Sequence, residues 1–381
     1  MKIVLLEPYF TGSHASWAKE YVKYSRHKVE ILSMNGQYWK WRMHGAAVTL
    51  ARKFLSKDFQ PDLLLATDML DLTTFLALTR QASASIKTAL YFHENQLTYP
   101  WSSKDRDIIA QRDMHYSFIN YASALTADMV LFNSHYHLNS FLDELPRFLK
   151  SFPDQNELNT VQRIRQKSRL LHLGMDLKKF DPYQSIATEN IDNRLPLIIW
   201  NHRWEYDKNP EEFFKALYRL DDEGLDFEAA VCGECFAQKP EIFLEAREKL
   251  DTKIVQFGFV KDFGEYATWL WKADILPVNS IHDFFGASVV QAMYCNCYPL
   301  LPKRLAYPEH IPEDFHQKFF YEDFDDLVEK LRNLILNIRE VRQENIQTFA
   351  VKYDWQRMAP AYDDTFEELI INGLLPKQKF L

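Results

Sequence analysis

Short, uninterrupted apolar runs recur along this chain at intervals suited to strands separated by helices. Lys2-Ile3-Val4-Leu5-Leu6 opens the series, and Asp62–Thr67, Thr88–His93, Asp128–Asn133 and Arg169–Leu173 continue it. Runs that do not alternate with polar residues are what parallel strands covered on both faces require. Between them, Ala15–Ser25 and Ala110–Leu125 place apolar residues at helical spacing. A second series begins at Leu197–Trp200 and proceeds through Phe227–Cys232, Lys253–Phe257, Ala273–Val278 and Tyr298–Leu301. Asp181–Arg194, polar and poor in strand signals, reads as the linker between the two. Two such series predict an α/β protein with two doubly wound parallel sheets, one over residues 1–182 and one over 195–357. After Tyr353-Asp354-Trp355 the pattern Met358–Leu369 predicts a last helix, and 358–381 is expected to dock back on the first domain.

Composition narrows this further. A chain of 381 residues exceeds one ordinary domain, and its 47% hydrophobic and 15% aromatic content excludes a disordered protein. There is no early apolar leader and no run of 18 apolar residues, so a cytoplasmic protein without a membrane span is expected. Cys232-Gly-Glu-Cys235 has metal or redox spacing but no second ligand pair, so buried thiols and no metal are expected for Cys232, Cys235, Cys295 and Cys297. The net charge of −8 is uneven. Residues 1–190 hold 23 Lys and Arg against 19 Asp and Glu (net +4), and residues 191–381 hold 22 against 34 (net −12). A polyanionic partner would favour the N-terminal half.

In open α/β sheets ligands gather beyond the carboxyl ends of strands, which is where candidate chemistry should lie. Ala273–Val278 is followed by Asp283-Phe284-Phe285-Gly286-Ala287-Ser288, with Gln291 eight positions after Asp283. A carboxylate, a glycine and a helix N-terminus together suit an anionic, hydroxyl-rich ligand such as a nucleotide sugar. Leu197–Trp200 leads into Arg203 and Lys208, two cations able to neutralise a departing diphosphate, or else to pair with Glu205 and Asp207. The first strand leads into Gly12-Ser13-His14, a glycine turn entering a helix without dinucleotide-binding spacing. His93-Glu94-Asn95 follows another strand; it lacks a zinc-protease pattern, and His93 could polarise a sugar hydroxyl or be a buried structural histidine. Trp39-Lys40-Trp41-Arg42 interleaves rings and cations, as stacking on a nucleobase beside phosphates requires.

These residues resemble retaining GT-B glycosyltransferases over nearly the whole chain. The family's paired acidic signature aligns with Asp283 and Gln291, its donor-diphosphate Arg and Lys with Arg203 and Lys208, and its linker motif with Gly174–Phe180. A more specific similarity is to the tRNA-queuosine α-mannosyltransferase family. It is carried by Gly12-Ser13-His14, Trp39–Arg42, Tyr91–Pro100, Phe132-Asn133-Ser134, His202–Pro210 and His282–Pro308. The resemblance implies a cleft between two Rossmann-like domains, GDP-mannose as donor, and the cyclopentenediol of queuosine in tRNA-Asp as acceptor.

It further implies donor contacts from Gly12, Arg203, Lys208, Gly286, Ala287, Ser288 and Gln291. Acceptor contacts would come from Ser13, His14, Trp39, Trp41, Arg42, Glu94 and Asn95, and catalytic roles fall to Arg203, Lys208, Asp283 and His93. The family has Glu at both signature positions. Asp283 keeps the carboxylate on a shorter arm, and Gln291 keeps an acceptor, gains donors and loses the charge. These departures leave two alternatives open: a transferase with another donor or acceptor, or a tRNA-binding homologue that has lost catalysis.

Overall fold

The computed structural model describes residues 1–101, 107, 114–187, 193–235 and 240–372. Residues 110–113 of the expected Ala110–Leu125 helix, 188–192 of the expected linker and 373–381 of the tail lie outside the described residues. The chain divides into two compact units, Met1–Met175 with Trp355–Leu381, and Asp176–Asp354.

In the first unit β1 (Lys2–Phe10), β2 (Lys28–Asn35), β3 (Leu63–Thr67), β4 (Lys87–Phe92), β5 (Met129–Phe132) and β6 (Ser168–Leu170) form one parallel sheet. Its order is β2-β1-β3-β4-β5-β6. The second unit repeats the plan with β7 (Leu197–Trp200), β8 (Glu228–Val231), β9 (Ile254–Phe257), β10 (Ile275–Pro277), β11 (Tyr298–Pro302) and β12 (Phe320–Tyr321). These run in the order β12-β11-β10-β7-β8-β9. β3, β5, β7 and β11 are buried at every position, which is why their sequences are continuous apolar runs.

Each sheet has one place where successive crossovers diverge to opposite sides: between β1 and β3 in the first, and between β7 and β10 in the second. Loops leaving the carboxyl ends of those strands border a crevice that no crossover helix fills. The helix Trp355–Asn372 belongs to the first unit and is bound there by polar contacts inside an aromatic cluster. The Trp17 indole N–H donates to the Tyr362 hydroxyl (3.1 Å), the Tyr21 hydroxyl to Asp363 (2.8 Å) and the Trp355 indole to Glu20 (2.9 Å). A Cβ at Gly174 would lie 2.6 Å from the Trp355 ring, so this packing requires a glycine. Among the described residues no helix is long and apolar enough to cross a membrane.

Candidate functional site

In the second unit the loops after β7 and β10 meet around one ammonium group. Lys208, 7% exposed, lies in the short turn Tyr206–Lys208 that precedes the helix Pro210–Asp222. Its Nζ donates to the His282 carbonyl (2.8 Å) and stands 3.1 Å from Asp207 Oδ2 and 3.3 Å from Asp283 Oδ2. Asp283 also accepts the Tyr307 hydroxyl at 2.9 Å. Burial works against the Lys208 charge, but Asp283 and Asp207 outweigh it and hold its pKa above the ordinary lysine value. Burial likewise works against ionised Asp283, yet Lys208, helped by the Tyr307 hydrogen bond, holds its pKa below the usual carboxylate value. Both charges therefore persist at neutral pH.

The local backbone serves this arrangement. Gly286 has φ +85 and stands as N-cap of the helix Ala287–Tyr294, and a Cβ there would come within 3.0 Å of the Tyr307 ring. That helix carries no side-chain cap and no acidic residue in its first turn, so its N–H groups stay available to an anion. Ser288 Oγ lies 3.0 Å from His202 Nδ1, and Asn201 Nδ2 donates to the Ser288 carbonyl (2.8 Å). Burial, with Lys208 adding to it, pushes His202 down to about 4, so it is a neutral partner for Ser288. Gln291 accepts the Tyr266 hydroxyl through Oε1 (3.2 Å), which directs its amide and leaves the Nε2 donors for another group. Arg203 is the exposed cation of the pair, its side chain 46% accessible and 3.0 Å from Glu205. The bland pairings of Arg203 with Glu205 and Lys208 with Asp207 thus form, and Lys208 bridges to Asp283 besides.

In the first unit the loops after β1, β3 and β4 assemble a buried titratable cluster. Glu7, fully buried, accepts the Tyr9 amide through Oε1 (2.9 Å) and His14 Nδ1–H through Oε2 (3.2 Å). The His14 ring lies 4.2 Å from the His93 ring, centroid to centroid. Asp68, 1% exposed at the end of β3, accepts the His93 amide at 2.8 Å. Burial opposes protonation of His14, but Glu7, by charge and hydrogen bond, with Asp68 and Glu94, raises it to about 9. His93 is pushed well below the ordinary value by burial, with His14 and His137 adding to it, so its ring is neutral. Burial lifts Asp68 to about 8; His14 opposes this and Glu94 adds to it. Glu7, His14 and His93 could each turn one atom toward a shared ion, all within 4.8 Å of one another. Among the described residues no carboxylate and imidazole group of that kind surrounds Lys208.

Other expected residues are spread along the same edge. Gly12 (φ +50) and exposed Ser13 open the helix Gly12–Tyr24. Trp39, Trp41 and Arg42 occupy the first turn of the helix Trp39–Leu55. Trp39 packs on Trp101 (5.6 Å) and Tyr116 (5.2 Å), whereas Trp41 is 64% exposed. Arg42 donates to the Asn35 carbonyl (3.0 Å). Asn95 is fully buried; its Oδ1 accepts the Leu97 and Thr98 amides (both 3.0 Å), so it shapes the turn carrying His93 and Glu94. Sequence reasoning did not single out Glu7, Asp68, His202 or Tyr307. For Asp68 a signal was present, a carboxylate directly after the buried run Leu63–Thr67; for Tyr307 there was none, because it arrives from the turn after β11.

Two six-stranded parallel sheets with their polar clusters at these strand ends define the GT-B fold. The fold is shared with sucrose-phosphate synthase from Thermosynechococcus elongatus (TM-score 0.71, 14% identity, 98% of this chain and 100% of that one). It is shared equally with a glycosyltransferase from Rickettsia africae (TM-score 0.67, 15% identity, 98% and 99%). Residues 2–175 match the model of the tRNA-queuosine α-mannosyltransferase N-terminal region, and residues 184–348 that of glycosyl transferases group 1. The tRNA-queuosine α-mannosyltransferase of Drosophila melanogaster is 33% identical over 377 residues, 97% of each chain. The chain belongs to the tRNA-queuosine α-mannosyltransferase family.

Proposed function

We propose that this glycosyltransferase moves mannose from GDP-mannose, with retention of anomeric configuration, to the cyclopentenediol of queuosine in tRNA-Asp, in the cytoplasm and without a divalent metal. The observation that carries the donor side is the Lys208–Asp283–Tyr307 cluster beside an uncapped helix N-terminus at the β7/β10 divergence. Mannose and queuosine follow the name of the Drosophila relative, while GDP as carrier and tRNA-Asp follow from the family resemblance of the sequence.

Each residue has a task that its surroundings suit. Lys208 and Arg203 receive the charge that grows on the leaving diphosphate, and Lys208, already fixed by three oxygens, needs little reorganisation as that charge develops. Gly286, Ala287 and Ser288 offer backbone and hydroxyl donors to phosphate. Asp283 stays ionised and accepts hexose hydroxyls, and Gln291 takes the ribose diol. Neutral His93 exchanges a hydrogen bond with a sugar hydroxyl, while the Gly12 turn supplies backbone donors. Ser13, His14, Glu94 and the Trp39–Arg42 turn serve the acceptor, and Asn95 shapes the turn that carries Glu94. No carboxylate is assigned as nucleophile; departure and attack occur on one face through an oxocarbenium-like state.

Incubation with GDP-mannose and queuosine-containing tRNA, followed by mass spectrometry of the nucleosides, tests this. A hexose increment on queuosine, undiminished by a chelator, is expected. Absence of that increment overturns the acceptor, and transfer from another nucleotide sugar in preference overturns the donor.

A further inference from the structure

The helix Trp39–Leu55 carries Lys40, Arg42, Arg52 and Lys53 and contains neither Asp nor Glu. Its inner face, Met43, Ala46, Ala47, Leu50, Ala51 and Phe54, is buried in the first unit. Its outer face runs through Trp41, Gly45, Val48, Arg52 and Leu55, each three or four positions from the last. Trp41 is 64% exposed, Val48 59% and Leu55 54%. Gly45 stands in the helix interior, where glycine is less favourable than alanine, and its backbone does not call for one, because φ is not positive. What the glycine makes room for is the Trp41 ring. A Cβ at position 45 would lie 2.7 Å from Cζ2, 2.8 Å from Cε2 and 3.1 Å from Cη2 of that indole. Among the described residues no other ring, cation or hydrogen bond engages the Trp41 side chain, whereas Trp39 packs on Trp101 and Tyr116. The Trp41 ring is thus seated over helix backbone and left open to solvent. Arg52, exposed and in no ion pair among the described residues, follows eleven positions on, roughly 16 Å along the helix axis.

We propose that Gly45 positions Trp41 as a fixed stacking platform for an unpaired base of the tRNA acceptor, with Arg52 on the phosphate backbone of the same strand. This rests on the acceptor reading above. Every base has a π face, and an indole already held in one place meets it without the cost of first ordering a mobile side chain. Proteins that read RNA largely stack unpaired bases on aromatic side chains and bind the adjoining phosphates with cations. A helix of 17 residues with four cations and no carboxylate complements such a strand. Two copies of the chain paired through this face would instead bring those cations together.

Binding of labelled queuosine-containing tRNA to the full chain, followed by fluorescence anisotropy at fixed salt, tests this. Gly45→Ala pushes the ring off its seat and should weaken tRNA binding about fivefold, the lower end of the range for one stacked base. The same variant should unfold at a temperature no lower than wild type, because alanine suits a helix better, and should bind GDP-mannose unchanged. Added to Trp41→Ala, the glycine substitution should weaken binding no further, since it acts through the ring. Arg52→Ala should lower the slope of log affinity against log salt by about 0.7–0.9, the value for one phosphate contact. Wild-type tRNA affinity in Gly45→Ala, or equal losses with and without Trp41, overturns the platform while leaving the acceptor reading intact. An unchanged salt slope in Arg52→Ala overturns the phosphate contact. If Gly45→Ala keeps its tRNA affinity but loses binding to vesicles of anionic lipid, or dimerisation, that wild type shows, the face belongs to a lipid surface or to a second copy and the proposal falls. If wild type neither binds this tRNA nor adds hexose to it, the acceptor reading fails and the platform with it.

Discussion

The divergence points of the two sheets gather different groups: carboxylates around the His14 imidazolium in the first, and Lys208 and Arg203 among Asp207, Asp283 and Glu205 in the second. Residues 1–190 have a net charge of +4, yet Glu7, Asp68 and Glu94 gather at the β1/β3 crevice. Residues 191–381 have a net charge of −12, yet Arg203 and Lys208 stand at the β7/β10 crevice. Net charge acts over a Debye length and governs approach, so a basic first half suits a polyanion. Local charge in a desolvated crevice acts on the group actually bound, and the Lys208 and Arg203 cations suit a diphosphate in the second unit. Bulk composition and site chemistry are separate readings of one sequence.

The sharpest way to break this contrast is to remove Lys208. Lys208→Ala takes a preorganised cation from the leaving-group position, and turnover should fall roughly a hundred- to thousandfold. It also leaves Asp283 and Asp207 without their cation in a buried place, so the variant should lose stability as well, by about 3–5 kcal/mol in thermal or denaturant unfolding. Unchanged turnover would remove the diphosphate assignment. Unchanged stability would show that water replaces the ammonium.

Arg203→Ala separates the two effects. Its side chain is 46% exposed and paired with Glu205 at the surface, so unfolding should shift by no more than about 0.5 kcal/mol. Turnover should still drop by about a hundredfold if the guanidinium meets the diphosphate. Activity near wild type would reduce Arg203 to the surface ion pair visible in the structure.

On the acceptor side, Trp41→Ala with Arg42→Ala should weaken tRNA binding by about tenfold, within the range for loss of one stacked base. The tRNA affinity should fall steeply with salt, whereas GDP-mannose affinity should respond far less and be unaltered by the double variant. Trp39→Ala is a less clean probe, because Trp39 also packs on Trp101 and Tyr116 and its loss should lower stability too. Equal losses of donor and tRNA binding in the double variant would reject the acceptor assignment.

Legibility followed burial. The fully covered strands β3, β5, β7 and β11 announce themselves as apolar runs, whereas β2 escapes notice: it is the edge strand, mostly half-exposed, and its sequence mixes Lys28, Glu30, Ser33 and Asn35 among apolar residues. β12, at two residues, is too short to leave a pattern. At the sites, polar residues soon after an apolar run could be nominated, as Arg203, Lys208, Asp283 and His93 were. What the pattern could not give was partnership. Lys208 and Asp283 are 75 positions apart and Tyr307 is 24 beyond Asp283, so only the parallel order β11-β10-β7 brings the three together. Asn95 illustrates the converse, a polar residue in the right loop whose side chain is already spent on the turn.

The pH dependence of the first unit offers a further test, and its sign distinguishes the buried cluster from an ordinary carboxylate ion pair. His14 is raised from 6.5 to about 9, so the stability it contributes is complete below pH 6.5 and is lost as pH rises through 9. Asp68 is raised from 3.8 to about 8, so the folded state holds a proton that the unfolded chain releases, and ionisation costs stability as pH climbs toward 8. Both groups leave the native state binding more protons between pH 6.5 and 8, and stability there must fall with rising pH. Each group contributes at most roughly 1.4 kcal/mol per pH unit. Hydrogen exchange at β1, β3 and β4 amides should therefore report weaker protection at pH 8 than at pH 6.5 after correction for the intrinsic rate. Asp68→Asn should flatten the slope by removing one titrating group. A slope of the opposite sign would show that His14 and Asp68 do not hold extra protons in the native state.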